Sequence, residues 1–220
     1  MKSAGLFSVY RRLLKAYGPQ HWWPASDAFE IMVGAVLTQN TSWRNVERAI
    51  ANLKRAELCT PAGIATAGPD ELARHLRPSG YFNIKARRLQ VFTRWYLGQG
   101  GYERLARYPT LELRRALLSV HGIGPETADD MMLYAFERPV FVVDAYTRRI
   151  FSRLGYVEEH IGYEPLRHRF EAELKPEVSV WNEYHALIVR HGKDICRPRP
   201  RCEACTLRRG CRYPDAILER

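Results

Sequence analysis

The stretch LSVHGIGPETA, from Leu118 to Ala128, predicts two helices joined by a tight turn. Gly122 and Gly124 permit the positive φ angles of such a turn, and Pro125 suits the first turn of a second helix. Apolar residues follow, so we place the pair of helices at about residues 112–135. An ordinary glycine-containing connection between two helices is the alternative.

Backbone N–H groups of such a turn, at the start of a helix, would face a phosphate. With its two helices, the stretch is typical of a helix-hairpin-helix, which holds a nucleic-acid backbone without reading its sequence. The charge agrees, since 34 Lys and Arg against 24 Asp and Glu give a net charge of +10. A positive protein favours polyanionic partners, although solubility alone is a sufficient reason for the charge.

The rest of the chain predicts an all-α fold. Apolar residues recur at helical spacing, and the short β-branched run at Pro139–Val143 has no partner strand. Helices are predicted around 6–14 and 29–37, and at Trp43–Lys54, Pro69–Leu76, Asn83–Leu97 and Thr110–Leu118. The longest apolar stretch, Ile31–Leu37, falls far short of the ~20 residues that cross a bilayer. We expect a monomer in the cytoplasm, associated with the nucleoid, and no membrane partner.

Four cysteines cluster near the C-terminus with the spacing C-x5-C-x2-C-x5-C: Cys196, Cys202, Cys205 and Cys211. A reducing cytosol disfavours disulfides, so clustered thiols indicate a metal. Structural zinc usually takes two CxxC-type pairs, and only one is present here. The uneven spacing favours a 4Fe-4S cluster, with zinc as the alternative.

Asp144 lies in VVDAYTRR, residues 142–149, at the start of a predicted helix. A carboxylate there can cap the helix. It can also lie at the rim of an apolar pocket and act on a reacting centre. The local sequence favours the cap.

Four motifs follow one another along the chain: LTQNT at 37–41, HGIGPETA at 121–128, VVDAYTRR at 142–149 and the four cysteines. Together they resemble the endonuclease III superfamily of helix-hairpin-helix DNA glycosylases, over about residues 20–211. The resemblance implies a six-helix barrel at 23–136 and a second helical domain from 1–22 and 137–220, with the cluster loop at 196–211. It also implies double-stranded DNA with a damaged base in the cleft between them, and Asp144 as the catalytic residue.

Departures from the family pattern indicate the subclass. Members that also nick the backbone carry a lysine two residues after the second hairpin glycine, where this chain has Glu126. A carboxylate cannot form a Schiff base, so we expect a glycosylase without lyase activity. Adenine-specific mismatch relatives would carry a catalytic glutamate near Ala35, and none is present.

The remaining features resemble the endonuclease III-like branch that excises alkylated purines such as 3-methyladenine. They are WWP at 22–24 and RPSGYFNIKA at 77–86, besides LTQNT. An alkylated purine is a cation, which aromatic faces attract by ~0.5–2 kcal/mol. We expect a base pocket with Trp22, Trp23 and Phe29, whose alternative role is core packing, together with Glu126 and Lys193.

DNA contacts are expected from residues on several loops. Gln39 would fill the gap left by the extruded base and Tyr81 would act as a wedge, unless both are ordinary loop residues. Lys193 contacts either the pocket or a phosphate. Phosphates are expected to meet Gly122, Gly124, Arg197, Arg199 and Arg201. A pyrimidine- or mismatch-specific (thymine) glycosylase and a catalytically silent DNA-binding module are the alternative functions.

Overall fold

The computed structural model describes residues 5–213, and all regular secondary structure in that range is helical, as predicted. The chain divides into two compact units. The central unit is Trp23–Arg138. The terminal unit joins Met1–Trp22 to Pro139–Arg220, of which residues 5–22 and 139–213 are described.

The central unit is built around one apolar helix. Its helices are α2 (Ala28–Leu37), α3 (Trp43–Arg55), α4 (Pro61–Thr66), α5 (Pro69–Leu76), α6 (Phe82–Gly98), α7 (Gly101–Leu105), α8 (Thr110–Leu118) and α9 (Pro125–Asp130), with short 3-10 and π turns at Arg77–Ser79 and Met131–Ala135. Helix α2 is apolar on nearly every side and therefore buried, and it packs against α3, α6 and α9. Asp27 begins it by accepting the N–H of Glu30 at 2.9 Å.

Helices α8 and α9 form the predicted hairpin, with Pro125 at the start of α9. Gly122 has φ +89°, a conformation that side chains with a Cβ rarely adopt. Gly124 has φ −90° and caps α9, so of the two glycines that permit a positive φ, only Gly122 adopts one. A single left-handed residue is enough to reverse the chain here.

The terminal unit contains α1 (Leu6–Tyr17), α10 (Ala145–Arg153), α11 (Tyr163–Glu173) and α12 (Val178–Asp194), with a 3-10 turn at Cys202–Ala204. Helices α1 and α12 pack together, and the Tyr184 hydroxyl donates to the carbonyl of Leu6 at 2.8 Å. Phe141 and Phe170 stack beside them, with ring centroids 4.4 Å apart. None of the helices between residues 5 and 213 is long and apolar enough to cross a membrane.

Candidate functional site

Asp144 caps α10, as its local sequence predicted. Its Oδ1 accepts the backbone N–H of Thr147 at 2.7 Å and the Thr147 hydroxyl at 2.8 Å. The Thr147 hydroxyl lies 3.4 Å from the Asp144 backbone N–H, which completes a capping box. One carboxylate oxygen is thereby fixed, and the orientation of the other follows from it.

The second oxygen, Oδ2, lies 3.8 Å from Nε2 of His185 on α12. Both side chains are nearly buried, with 11% of Asp144 and 8% of His185 exposed. Burial by itself raises the pKa of the Asp144 carboxyl, but His185 and the two donors of Thr147 outweigh it, and the net pKa is lowered. Asp144 is therefore held as an oriented carboxylate at neutral pH. Sequence analysis missed His185, which lies within a long helix that carries no local motif.

Trp23 belongs to an aromatic cluster in the central unit, which we call the Trp23 cluster: Trp23, Trp43 and Tyr134. The Trp23 ring meets Trp43 edge to face at 4.9 Å and Tyr134 at 5.1 Å. Gly34 makes room for it on α2, since a Cβ there would lie 2.9 Å from Cζ2 of Trp23. Trp43 and Tyr134 were not predicted as site residues.

The other two predicted pocket aromatics lie elsewhere. Phe29 is buried in the core of the central unit, with its ring 5.3 Å from that of Tyr96. Trp22 is half-buried and belongs to the terminal unit, although Trp23 is its neighbour in sequence. The adjacent tryptophans of the WWP motif thus fall in different units.

Gln39 is held against the hairpin. Its side-chain N–H groups donate to the carbonyl of Gly122 at 3.1 Å and to the hydroxyl of Thr127 at 2.9 Å. The guanidinium of Arg88 on α6 donates to its Oε1. Arg88 also lies against the turn, because a Cβ on Gly122 would come within 2.6 Å of its Cγ. Gln39 therefore joins two predicted DNA-contacting segments, LTQNT and the hairpin, and Arg88, which sequence analysis missed, contacts both of them.

The loop before α6 is held by a buried lysine. Nζ of Lys85 donates to the carbonyls of Leu37, at the end of α2, and Ser79, at 2.9 and 2.6 Å. Burial and the nearby charge of Arg88 lower the pKa of Lys85 to about 8. Beyond this anchor, Tyr81 has φ +46° and 68% of its surface is exposed. The predicted wedge thus projects from a loop tied to the start of LTQNT.

The outward side of the hairpin is open. Gly124 is exposed, and a Cβ placed on it would have no atom of the described chain within 4 Å. The backbone conformation and the free space at Gly124 would therefore both accept a Cβ. Glu126 is exposed on the first turn of α9.

The four clustered cysteines are half-buried free thiols in the terminal unit. Burial raises the pKa of Cys205 and Cys211, and the charge of neighbouring cysteines raises both further. The loop is fastened to α10 by Arg149, which donates to the carbonyl of Cys196 at 2.8 Å, and by Arg153, which donates to that of Arg197 at 2.7 Å. Across residues 5–213, no three His, Cys, Asp or Glu side chains gather as they would around one metal ion.

The predicted phosphate contacts on this loop are available to solvent. Lys193 is exposed in the last turn of α12. The three loop arginines are also exposed: Arg197, Arg199 and Arg201. Within the described range, none of the three makes an ion pair. Cys59, outside the cluster, is a half-buried thiol in the central unit whose pKa burial raises to about 11.

Comparison with known proteins identifies the family. The model of the HhH-GPD superfamily base excision DNA repair proteins matches residues 33–176. A Methanocaldococcus jannaschii protein, provisionally named a DNA repair glycosylase, is 46% identical over 94% of this chain and 95% of its own.

Solved structures agree. A 3-methyladenine DNA glycosylase of H. pylori, bound to 1,N6-ethenoadenine, is 31% identical with a TM-score of 0.75, covering 85% of this chain and 96% of its own. A non-covalent endonuclease III–DNA complex shares the fold at 20% identity, with a TM-score of 0.83 and 97% of each chain covered. The chain therefore belongs to the HhH-GPD superfamily of base excision DNA repair proteins, and it is a DNA repair glycosylase of the endonuclease III family.

Proposed function

We propose that this protein hydrolyses the N-glycosidic bond of alkylated purines such as 3-methyladenine in double-stranded DNA and leaves the strand intact. The Trp23 cluster is the observation that carries the substrate class. A purine alkylated on its ring is a cation, and the faces of aromatic rings attract cations by ~0.5–2 kcal/mol. The 31% identity to a 3-methyladenine glycosylase supports the same substrate.

Asp144 is the proposed catalytic carboxylate. Extrusion of the damaged nucleotide costs a few kcal/mol, but the cationic base is already a good leaving group. The remaining demand is for negative charge beside the sugar, which becomes oxocarbenium-like as the bond breaks. The lowered pKa of Asp144 keeps that charge present, and Oδ2 is the oxygen that stabilises the sugar or orients the attacking water. His185 positions Oδ2.

The proposed absence of lyase activity rests on Glu126. Strand cleavage by a relative of this kind begins with an amine that attacks the sugar. Glu126 offers a carboxylate at that position, so no imine forms there and the abasic site survives. Of the residues expected to line the base pocket, Trp23 is the one that the Trp23 cluster contains, whereas the ring of Phe29 packs in the core beside Tyr96.

DNA binding in this proposal combines three elements. The open backbone at Gly124 and the turn at Gly122 meet phosphates. Tyr81 enters the stack as a wedge, and Gln39 fills the gap after giving up its bonds to the hairpin. The exposed arginines of the cysteine loop add phosphate contacts: Arg197, Arg199 and Arg201.

The four thiols suit a 4Fe-4S cluster, since such a cluster takes four thiolates and all four cysteines are free and half-buried in one loop. Cys196, Cys202, Cys205 and Cys211 would hold it. When bound, the cluster supplies a cross-link that fixes the loop rather than hydrolytic chemistry, because cleavage by water transfers no electron. The chain itself contributes Arg149 and Arg153, which fasten the loop backbone.

The test uses duplexes that each contain one lesion, scored for free base and for strand breaks before and after alkali. We expect release of 3-methyladenine, breaks only after alkali, and no protein trapped on DNA by borohydride. Glu126→Lys is the matched variant, since it restores an amine at the lyase position and should become trappable. Preferred release of thymine or of an oxidised pyrimidine, or trapping of the unaltered protein, would overturn the assignment.

A further inference from the structure

His191 joins the first helix to the cysteine loop. It lies in the last turn of α12 and is only 1% exposed. One ring nitrogen, Nδ1, lies 2.6 Å from the hydroxyl of Tyr17 on α1. The other, Nε2, lies 3.6 Å from Sγ of Cys205. A hydroxyl, an imidazole and a thiol thus form one chain of contacts within the terminal unit.

The chemistry of the partners fixes the direction of the hydrogen bond to sulfur. A thiolate sulfur bound to iron carries no proton and can only accept a hydrogen bond. Nδ1 of a neutral ring can accept from the Tyr17 hydroxyl, so the neutral tautomer that satisfies both partners carries its proton on Nε2. In a protonated ring, Nε2 carries a proton as well. Either way, Nε2–H donates to Sγ of Cys205.

Tyr17 is itself held in place. The guanidinium of Arg190 lies 4.9 Å from the centre of the Tyr17 ring and donates to the Tyr17 carbonyl at 3.1 Å. Arg190 therefore restrains both the ring and the backbone of Tyr17. The same histidine also accepts two loop N–H groups at its backbone carbonyl, those of Ile195 and Cys196, at 3.0 and 2.8 Å.

We propose that His191, oriented by Tyr17, is a positioning residue that donates a hydrogen bond to the Cys205 sulfur and thereby raises the reduction potential of the iron–sulfur cluster. The inference rests on the proposed cluster and deepens it. Reduction adds negative charge that the cysteine sulfurs share, and an N–H donor stabilises the more negative state. The guanidinium of Arg153, 3.5 Å from Sγ of Cys196, makes a separate contribution that the variants below leave unchanged.

The experiment compares iron-loaded proteins by voltammetry and by the decay of their visible absorbance in air. His191→Leu removes the donor, so its potential should fall and its cluster should decay faster. His191→Gln carries an N–H at the position of Nε2 and should stay near the unaltered protein. Tyr17→Phe should lie between the two. Tyr10→Phe is the matched control, because Tyr10 lies on the same helix but packs against Tyr184.

The outcomes separate the inference from the cluster on which it rests. Iron-loaded variants with equal potentials, or a glutamine variant that shifts as far as the leucine variant, would refute the inference alone. If the unaltered protein, purified anaerobically, contained no iron, both the inference and the proposed cluster would be refuted. If His191→Leu fails to assemble a cluster, the potentials of His191→Gln and Tyr17→Phe test the inference, since neither substitution leaves a large cavity.

Discussion

Asp144 both caps a helix and, in our proposal, drives catalysis, and two substitutions separate these roles. Asp144 accepts the backbone N–H of Thr147 at 2.7 Å, and asparagine keeps an oxygen that can accept the same N–H. Asparagine and aspartate are also comparable as N-cap residues. Asp144→Asn should therefore barely change the free energy of unfolding. Asp144→Ala removes the cap at a cost of about 1 kcal/mol, or ~2–4 °C in Tm for a chain of this size.

Catalysis should respond differently. Both variants lack the negative charge beside the sugar, so base release should slow by about 10²–10⁴-fold in each, as is typical when a positioned acid or base is lost. Duplex binding should stay nearly unchanged, because it depends on phosphate contacts away from the carboxylate. Loss of activity without loss of stability or affinity is thus the expected result for asparagine.

The assay combines single-turnover release of 3-methyladenine with thermal unfolding and fluorescence anisotropy on the same preparations. Asp27→Asn is the matched control, since Asp27 caps α2 through an equivalent bond at 2.9 Å and has no proposed role in the chemistry. It should keep full activity. Wild-type turnover by Asp144→Asn would refute the reasoning and leave Asp144 as a cap alone.

Three further predictions concern the hairpin, the loop and the buried lysine. Gly124→Ala should keep the Tm of the parent protein but bind DNA more weakly, as measured by fluorescence anisotropy. Gly122→Ala should lose stability because of its φ of +89° and the contact with Arg88. Equal DNA affinity of the Gly124 variant and the parent protein would contradict a phosphate contact at Gly124. A variant with alanine in place of the three loop arginines, Arg197, Arg199 and Arg201, should bind all DNA sequences more weakly. The slope of log K for DNA binding against log salt concentration should fall in magnitude by about 0.9 per lost contact. An unaltered slope would show that these side chains face away from DNA. The pKa of Lys85 falls from 10.5 to about 8 on folding, so between pH 8 and 10.5 the unfolded chain binds this proton more fully than the folded chain does. The free energy of unfolding, measured with urea, should therefore rise with pH in this range relative to that of Lys85→Met. The same pH dependence in both proteins would contradict this.

Local patterns predicted the longer helices between residues 6 and 118 well. The bounds Pro69–Leu76 and Thr110–Leu118 are those of the structure, because proline, glycine and apolar spacing define helix ends within a few residues. The same reasoning left open which of the two hairpin glycines has the positive φ, since a G-x-G pattern does not specify it, and the structure shows that it is Gly122. Nor did it predict the π turn at Met131–Ala135, whose apolar residues read as an ordinary continuation of α9.

The site was less accessible to sequence analysis because its contacts join distant segments. Lys85 reaches the carbonyl of Leu37 across 48 residues, and Gln39 reaches Gly122 across 83. His185 and Trp43 likewise contact residues far from them in sequence, within helices that show only ordinary spacing. Motifs can therefore nominate Asp144 and the cysteines, but the residues that hold them emerge only from tertiary packing.

The split origin of the terminal unit imposes an order on biosynthesis. The central unit, Trp23–Arg138, is contiguous, so all of its contacts are available once its last residue has left the ribosome. Helix α1 precedes the central unit in the chain but meets α12 only after that unit has been made, because Tyr184 follows Leu6 by 178 residues. At ~5–20 residues per second that interval is about 10–40 s, during which the apolar face of α1 stays open to nascent-chain chaperones.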